Sequence, residues 1–268
     1  MYLEYWGLKE KPFQNTCDPR FLCYSEQHEE ALTRLKYVVE SHLGCAVLTG
    51  IFGSGKTLIA QALLDVLKSD KYTTAFIFNP QLSSVELLKE IVYQLGVHDH
   101  LSDQKTDLLH RLTEILNDNY AEGRHVVVIV DEAHLIEDRA IFEELRLLLN
   151  FQKRDKFLLT LILAGQPELR EKISNLKPFD QRVAVRFHLK GLKLDETQKY
   201  ILHRVKVAGV SRAIFSEDSF KTIHESTGGL PRRINQVCDL ALLTGFGMKA
   251  SVITTQIINE VLMDPQTV

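Results

Sequence analysis

The sequence predicts an α/β fold: a parallel sheet with crossover helices and an N-terminal extension over residues 1–190, then a small helical domain over 191–268. Three observations carry this. Short apolar runs alternate with longer segments of helical period, as in a sheet whose parallel strands are joined by helices. A glycine-rich loop stands between the first such run and a helical segment. After Gly191 no convincing strand follows.

The strands expected are Cys45–Thr49, Thr74–Asn79, Val126–Val130, Leu158–Ala164 and Val183–Leu189. The third is nearly continuous valine and isoleucine, which suits a central strand buried on both faces. Between them lie helical stretches over Lys56–Ser69, Ser84–Leu95, Asp103–Tyr120 and Ala140–Phe151. In the second of these, Val85, Leu87, Leu88, Ile91, Val92 and Leu95 recur at three and four, the period of a half-buried helix. Further helices are expected near Asp195–Val207, Ser216–Ser226, Pro231–Leu243 and Thr254–Leu262. Gly228-Gly229 separates two of them, and Pro231 suits a first helical turn.

Composition narrows the class. Hydrophobic residues make up 45% and charged residues 25%, enough apolar material for a core without disulfide or metal staples. The net charge is −3, and the segment after Gly191 is close to neutral, so bulk charge does not point to nucleic acid. Cys17, Cys23, Cys45 and Cys238 form no C-x-x-C pair or zinc spacing and read as reduced structural thiols. His98 and His100 likewise form no ligand pattern. The N-terminus has no signal-peptide character, and the apolar runs Val126–Val130 and Phe157–Ala164 are too short to span a bilayer. A cytoplasmic protein without an intrinsic membrane segment is expected.

The chemistry concentrates in Gly50-Ile51-Phe52-Gly53-Ser54-Gly55-Lys56-Thr57, a complete G-x-x-x-x-G-K-T. Its glycines let the loop curl so that backbone N–H groups face phosphates, and the helix from Lys56 through Leu58 adds its positive end. Lys56 is placed to reach the β- and γ-phosphates of ATP, and the Thr57 hydroxyl to ligate Mg2+. A second signal is the strand ending in Asp131-Glu132, two carboxylates where open α/β sheets place their ligands. Asp131 suits magnesium, and Glu132 suits the general base for an attacking water. Asn79 ends the second expected strand, in reach of Glu132. Gln166 ends the fourth, in reach of the γ-phosphate or the water. His134 reads as a helix-start or packing residue. Arg182, before the fifth strand, and Arg232, at the start of a C-terminal helix, are the arginines suited to a γ-phosphate.

Beyond these motifs the chain resembles an AAA+ ATPase, and more narrowly the ExeA/GspA-type ATPases accessory to general secretion. The resemblance spans nearly the whole chain. It includes Tyr5-Trp6-Gly7-Leu8-Lys9-Glu10-Lys11-Pro12-Phe13, Asp18-Pro19-Arg20-Phe21-Leu22, Ser25, His28 and Glu30-Ala31-Leu32. It continues through the glycine-rich loop, Asp131-Glu132-Ala133-His134, Gly165-Gln166-Pro167-Glu168-Leu169, Gln181-Arg182-Val183 and Gly229-Leu230-Pro231-Arg232-Arg233-Ile234-Asn235. It implies a three-layer αβα P-loop core, a five-stranded sheet of order 5-1-4-3-2 and a helical lid. Gln166 would be sensor 1, Arg232 sensor 2, and Arg182 an arginine finger acting on a neighbouring subunit. Phe21–Ser25 would lie near the adenine. Cys17 departs from the family's usual proline, and the transmembrane and peptidoglycan-binding parts of full-length secretion members are not in this sequence. The resemblance implies an ATP-dependent homo-oligomer, ring or filament, that assembles or remodels a protein partner of a secretion or pilus apparatus. A DNA-bound transposition ATPase of the TniB/TnsC type resembles the same core, and the charge balance disfavours it. A switch with negligible turnover is disfavoured by the intact Asp131-Glu132 pair.

Overall fold

The computed structural model describes residues 1–15, 19–21, 23–99, 101–154 and 156–263. Cys17, Asp18, Leu22 and His100 lie outside the described residues, as do residues 264–268. The chain forms two compact units, Gln27–Leu189 and a second made of Met1–Glu26 with Lys190–Val268.

The first unit is a parallel sheet of β1 (Cys45–Gly50), β2 (Tyr72–Ile77), β3 (His125–Val130), β4 (Leu159–Gly165) and β5 (Val183–Leu189). Its spatial order is β2-β3-β4-β1-β5, the expected 5-1-4-3-2. Pleating divides the strand side chains between two cores. Val126, Val128 and Val130 join Leu161 and Leu163 on one face. Val127 and Ile129 join Ile162 and Ala164 on the other. Helix α2 (Glu26–Glu40) and α3 (Lys56–Val66) cover the second face through Ala31, Leu35, Val38, Ile59 and Leu63. Helices α4 (Ser84–Gln94), α5 (Lys105–Ala121) and α6 (Arg139–Leu148) cover the first. Ser83 and Glu86 close α4 with a reciprocal capping box, and Asp138 caps α6. Short helices α7 (Glu168–Ser174) and α8 (Lys177–Asp180) lead from β4 to β5.

The second strand differs from expectation. It runs Tyr72–Ile77 rather than Thr74–Asn79, because Tyr72 pairs with His125 at its start and Ile77 with Val130 at its end. Phe78 and Asn79 follow the strand and are exposed.

The second unit packs α1 (Tyr2–Trp6) with α9 (Leu194–Val207), α10 (Glu217–Thr227), α11 (Pro231–Gly247) and α12 (Thr255–Met263). The N-terminal extension, Met1–Glu26, thus groups with the helical segment. Trp6 is fully buried and its indole N–H donates to the Leu242 carbonyl at 2.9 Å. Gly245 leaves room for that ring, since a Cβ there would lie 3.0 Å from Trp6 Cζ2. Arg204 donates to the carbonyls of Pro12 and Gln14 at 2.6 and 2.7 Å. Thus the Tyr-Trp-Gly-Leu opening is a core element of the helical unit: Trp6, Leu8 and Phe13 all belong to its apolar cluster.

Candidate functional site

Because β1, β4 and β3 are neighbours running in one direction, their C-terminal ends stand side by side, about 4.8 Å apart. The loop Gly50–Gly55 leaves β1, Gln166 follows β4, and Asp131-Glu132 follow β3. Residues scattered over 117 positions of sequence are therefore delivered to one edge by strand order alone.

The loop's shape depends on glycine at defined points. Gly53 and Gly55 have φ of 81° and 100°, where side chains with a Cβ are strained. A Cβ at Gly50 would meet Ser54 Oγ at 2.6 Å and the Leu189 carbonyl at 2.9 Å. From α2, buried His28 donates through Nε2 to the Ser54 carbonyl at 3.0 Å and so braces the loop from behind. Among the described residues Ser54 Oγ itself is buried with no hydrogen-bond partner. The curled loop and the first turn of α3 offer a cradle of backbone N–H donors suited to phosphate.

Lys56 is 5% exposed, and its ammonium donates to the Ile51 carbonyl at 3.2 Å. Burial holds it below the ordinary lysine range, against the opposing pull of Glu132, Asp131 and Glu168. A phosphate in the cradle would favour its charged form. Thr57 Oγ1 donates to Asp131 Oδ2 at 2.7 Å. This hydroxyl–carboxylate pair supplies two hard oxygen ligands. No group of three or more His, Cys, Asp or Glu suited to a metal stands among the described residues. The Thr57–Asp131 oxygens fit magnesium, which keeps waters and phosphate oxygens and needs few protein ligands.

Glu132 adopts a left-handed backbone, φ 49°, a costly conformation for a residue with a Cβ and one that concentrates at functional sites. Its own N–H donates to Asp131 Oδ1 at 2.9 Å. Its carboxylate lies 3.3 Å from His134 Nδ1. His134 Nε2 in turn lies 2.9 Å from Gln166 Nε2. His134 thus stands between the two, rather than merely starting a helix. Two fixings hold it there. Lys172 of α7 donates to the carbonyls of His134 and Ile136 at 2.6 and 2.8 Å. Gly165 lets β4 approach so closely that a Cβ there would lie 3.0 Å from the His134 nitrogen.

The remaining sequence candidates fall elsewhere. Asn79 accepts from the Gln81 N–H at 3.1 Å. Among the described residues its side chain makes no bond to Glu132, because the strand ends two residues earlier and Asn79 turns into its own loop. Arg182 donates to Leu149 O and Asn150 Oδ1 at 3.4 and 3.1 Å. It precedes β5, whose Val183 pairs with Cys45 while Leu189 pairs with Gly50. Arg182 is thus the length of a strand, roughly 20 Å, from the loop of its own chain. Arg232 is exposed in the first turn of α11, within the helical unit. Sequence reasoning missed His28 and Lys172 as supports of the site; His134 lies in a short 3-10 helix, Ala133–Leu135, as the sequence suggests, and its contact with Gln166 was not foreseen. No local signal marks Lys172, while the histidines were visible but had no assigned partner.

The comparisons agree with this architecture. General secretion pathway protein A of Aeromonas hydrophila is 37% identical over 253 residues, covering 92% of this chain and 45% of that protein. The chain thus spans less than half the length of that relative. The Aeropyrum pernix ORC2 protein, solved as ADPNP-ADP complexes, is 18% identical with a TM-score of 0.66, covering 96% of this chain and 72% of that one. Cdc6p from Pyrobaculum aerophilum gives 18% and 0.67 (88% and 68% coverage), and the Thermotoga maritima RuvB Holliday junction branch migration motor gives 18% and 0.59 (88% and 68%). At such identities these three establish the shared fold. No helix among the described residues is long and apolar enough to cross a membrane. The AAA domain model matches residues 39–173, just over half of the chain and the span from the end of α2 through Lys172. With its glycine-rich loop, strand order and paired carboxylates, the chain belongs to the AAA domain family.

Proposed function

We propose that the chain binds ATP with Mg2+ and hydrolyses it to ADP and phosphate, as the ATPase module of an oligomer that assembles or remodels a protein partner. The observation that carries the reading is the Thr57–Asp131 hydrogen bond with Glu132 beside it. It joins a phosphate cradle to a metal ligand pair and a second carboxylate on one sheet edge. Backbone N–H groups of the loop and Lys56 hold the β- and γ-phosphates. Thr57 and Asp131 would hold magnesium, which supplies charge neutralisation for the phosphates when bound. Glu132 takes a proton from water as its oxygen bonds to the γ-phosphorus. The bond from that phosphorus to the β,γ-bridging oxygen breaks, and its electron pair leaves with ADP. Gln166 orients the γ-phosphate or the water.

Arg182 cannot reach its own chain's loop across the sheet, so its proposed role is in the site of a neighbouring subunit. Arg232 is proposed to sense the nucleotide from the helical unit. The relation to General secretion pathway protein A supports a partner in an envelope apparatus. The test is phosphate release by purified protein with ATP and Mg2+. Lys56→Ala should lose nucleotide binding, while Glu132→Gln should keep it and lose roughly 10²–10⁴ in turnover. Glu132→Gln turning over at the parent rate removes Glu132 as the base.

A further inference from the structure

We propose that His134 is a positioning residue that couples Gln166 to Glu132, so that what the glutamine touches sets how the base is held. The inference rests on the hydrolytic reading above, and deepens it. Gln166 and Glu132 share this one histidine. Its Nε2 meets the Gln166 amide nitrogen at 2.9 Å, and its Nδ1 meets Glu132 Oε2 at 3.3 Å. An amide nitrogen only donates, so Nε2 is the acceptor and the ring proton of neutral His134 sits on Nδ1, facing the carboxylate. With this proton placement Nε2 accepts from Gln166 while Nδ1–H faces the carboxylate.

The geometry is that of an adjustable link. Nδ1 is buried, and its contact to Glu132 lacks the alignment of a hydrogen bond, leaving this nitrogen without another partner. A buried donor without an aligned acceptor is costly, and a small shift of the Glu132 carboxylate would satisfy it. The His134 backbone cannot follow such a shift. Lys172 grips its carbonyl, Gly165 at the end of β4 lies close to its nitrogen, and Glu132 is already in a left-handed conformation. Movement is confined to the side chains. When Gln166 turns its amide toward a γ-phosphate, the imidazole loses or reorients its donor and the hold on Glu132 changes with it. The γ-phosphate is thereby reported to the base without direct contact between Gln166 and Glu132.

The test uses the full chain, with ATP affinity and kcat measured separately. His134→Ala should lower kcat about 10–100-fold and leave ATP affinity within about threefold. Gln166→Ala should lower kcat in the parent, but by less than threefold when His134 is already alanine. His134→Asn places an amide N–H near the former Nδ1, so it should recover part of kcat. It cannot reach Gln166, so it should stay insensitive to Gln166→Ala. A merely structural role would not produce that split, and thermal midpoints of all variants check folding. Parent-level kcat in His134→Ala, or fully additive losses with Gln166→Ala, would overturn the coupling. If Glu132→Gln kills turnover while His134→Ala does not, only the coupling fails. If Glu132→Gln itself stays active, the hydrolytic reading fails first.

Discussion

Mild acid should destabilise the sheet unit through one buried imidazole remote from the site. His125 opens β3 and is 4% exposed. Thr160 spends its hydroxyl proton on the Leu43 carbonyl at 2.8 Å, so His125 Nε2, at 2.9 Å, must donate to Thr160. That leaves His125 Nδ1 bare, receiving the Nδ1–H of His42 at 2.9 Å. Protonating His125 would set N–H against N–H. Burial, then His42 and Lys156, pushes its pKa from 6.5 down to about 3. The unfolded chain therefore binds a proton below pH 6.5 that the folded chain refuses. Stability falls as pH drops from 6.5 and stops falling from this source near 3. At pH 5 the unfolded imidazole is mostly protonated and the folded one is not, a loss of about 2 kcal/mol. His42 is also lowered, by burial and Lys156, and works in the same direction. Urea unfolding at pH 7.5 and pH 5, on the parent and His125→Asn, isolates the effect. The parent should lose about 2 kcal/mol more than the variant over that interval. Equal losses in both would refute the buried neutral histidine.

Two other perturbations address the site. Gly55→Ala forces a side chain onto φ 100° and sets its Cβ 2.8 Å from His28 Nε2. A strain of about 1–3 kcal/mol should weaken ATP binding on the order of 10–100-fold by calorimetry, and adding His28→Ala should restore only the steric share. An unchanged affinity would mean the loop does not need this geometry. Arg182→Ala should bind ATP normally yet hydrolyse it poorly, with roughly 10³–10⁵ at stake if the guanidinium acts in trans. Mixed with Lys56→Ala it should regain activity, and a dead mixture of co-assembled proteins rules Arg182 out.

The sheet was legible because each buried strand is a local apolar run and each covering helix repeats its apolar positions every three or four residues. The glycine-rich loop was legible because phosphate cradling dictates residue types at fixed spacing. Strand ends were less so: Phe78 looks like strand, but pairing with β3 stops at Ile77, and Asn79 was misplaced with it. The grouping of the N-terminal segment with the helical unit was not legible because its partners are remote. Trp6 bonds to Leu242, 236 residues away, and nothing near Trp6 announces it. His134 was legible as a helix-start residue, and the structure places it in the 3-10 helix Ala133–Leu135. Its position was noticed, but its meaning depends on Gln166, 32 residues on, and on a strand order that spacing alone does not give.

Strand order also explains why one copy of the chain makes an incomplete catalyst under the proposed reading. A parallel sheet gathers every strand's C-terminal end at one edge, so β1, β3 and β4 can deliver cradle, carboxylates and glutamine together. By the same rule the segments that enter strands collect at the opposite edge. Arg182 enters β5, beside Cys45 at the start of β1 rather than Gly50 at its end. An arginine side chain spans about a third of the roughly 20 Å between those ends. No rotamer and no small loop movement closes that gap within one subunit, while β5 is an outer strand of the sheet. A cation at the entrance of an outer strand is well placed to meet the exit edge of another copy. Parallel topology thus keeps Arg182 away from the glycine-rich loop of its own chain, and under the proposed reading turnover would then depend on assembly with a neighbour.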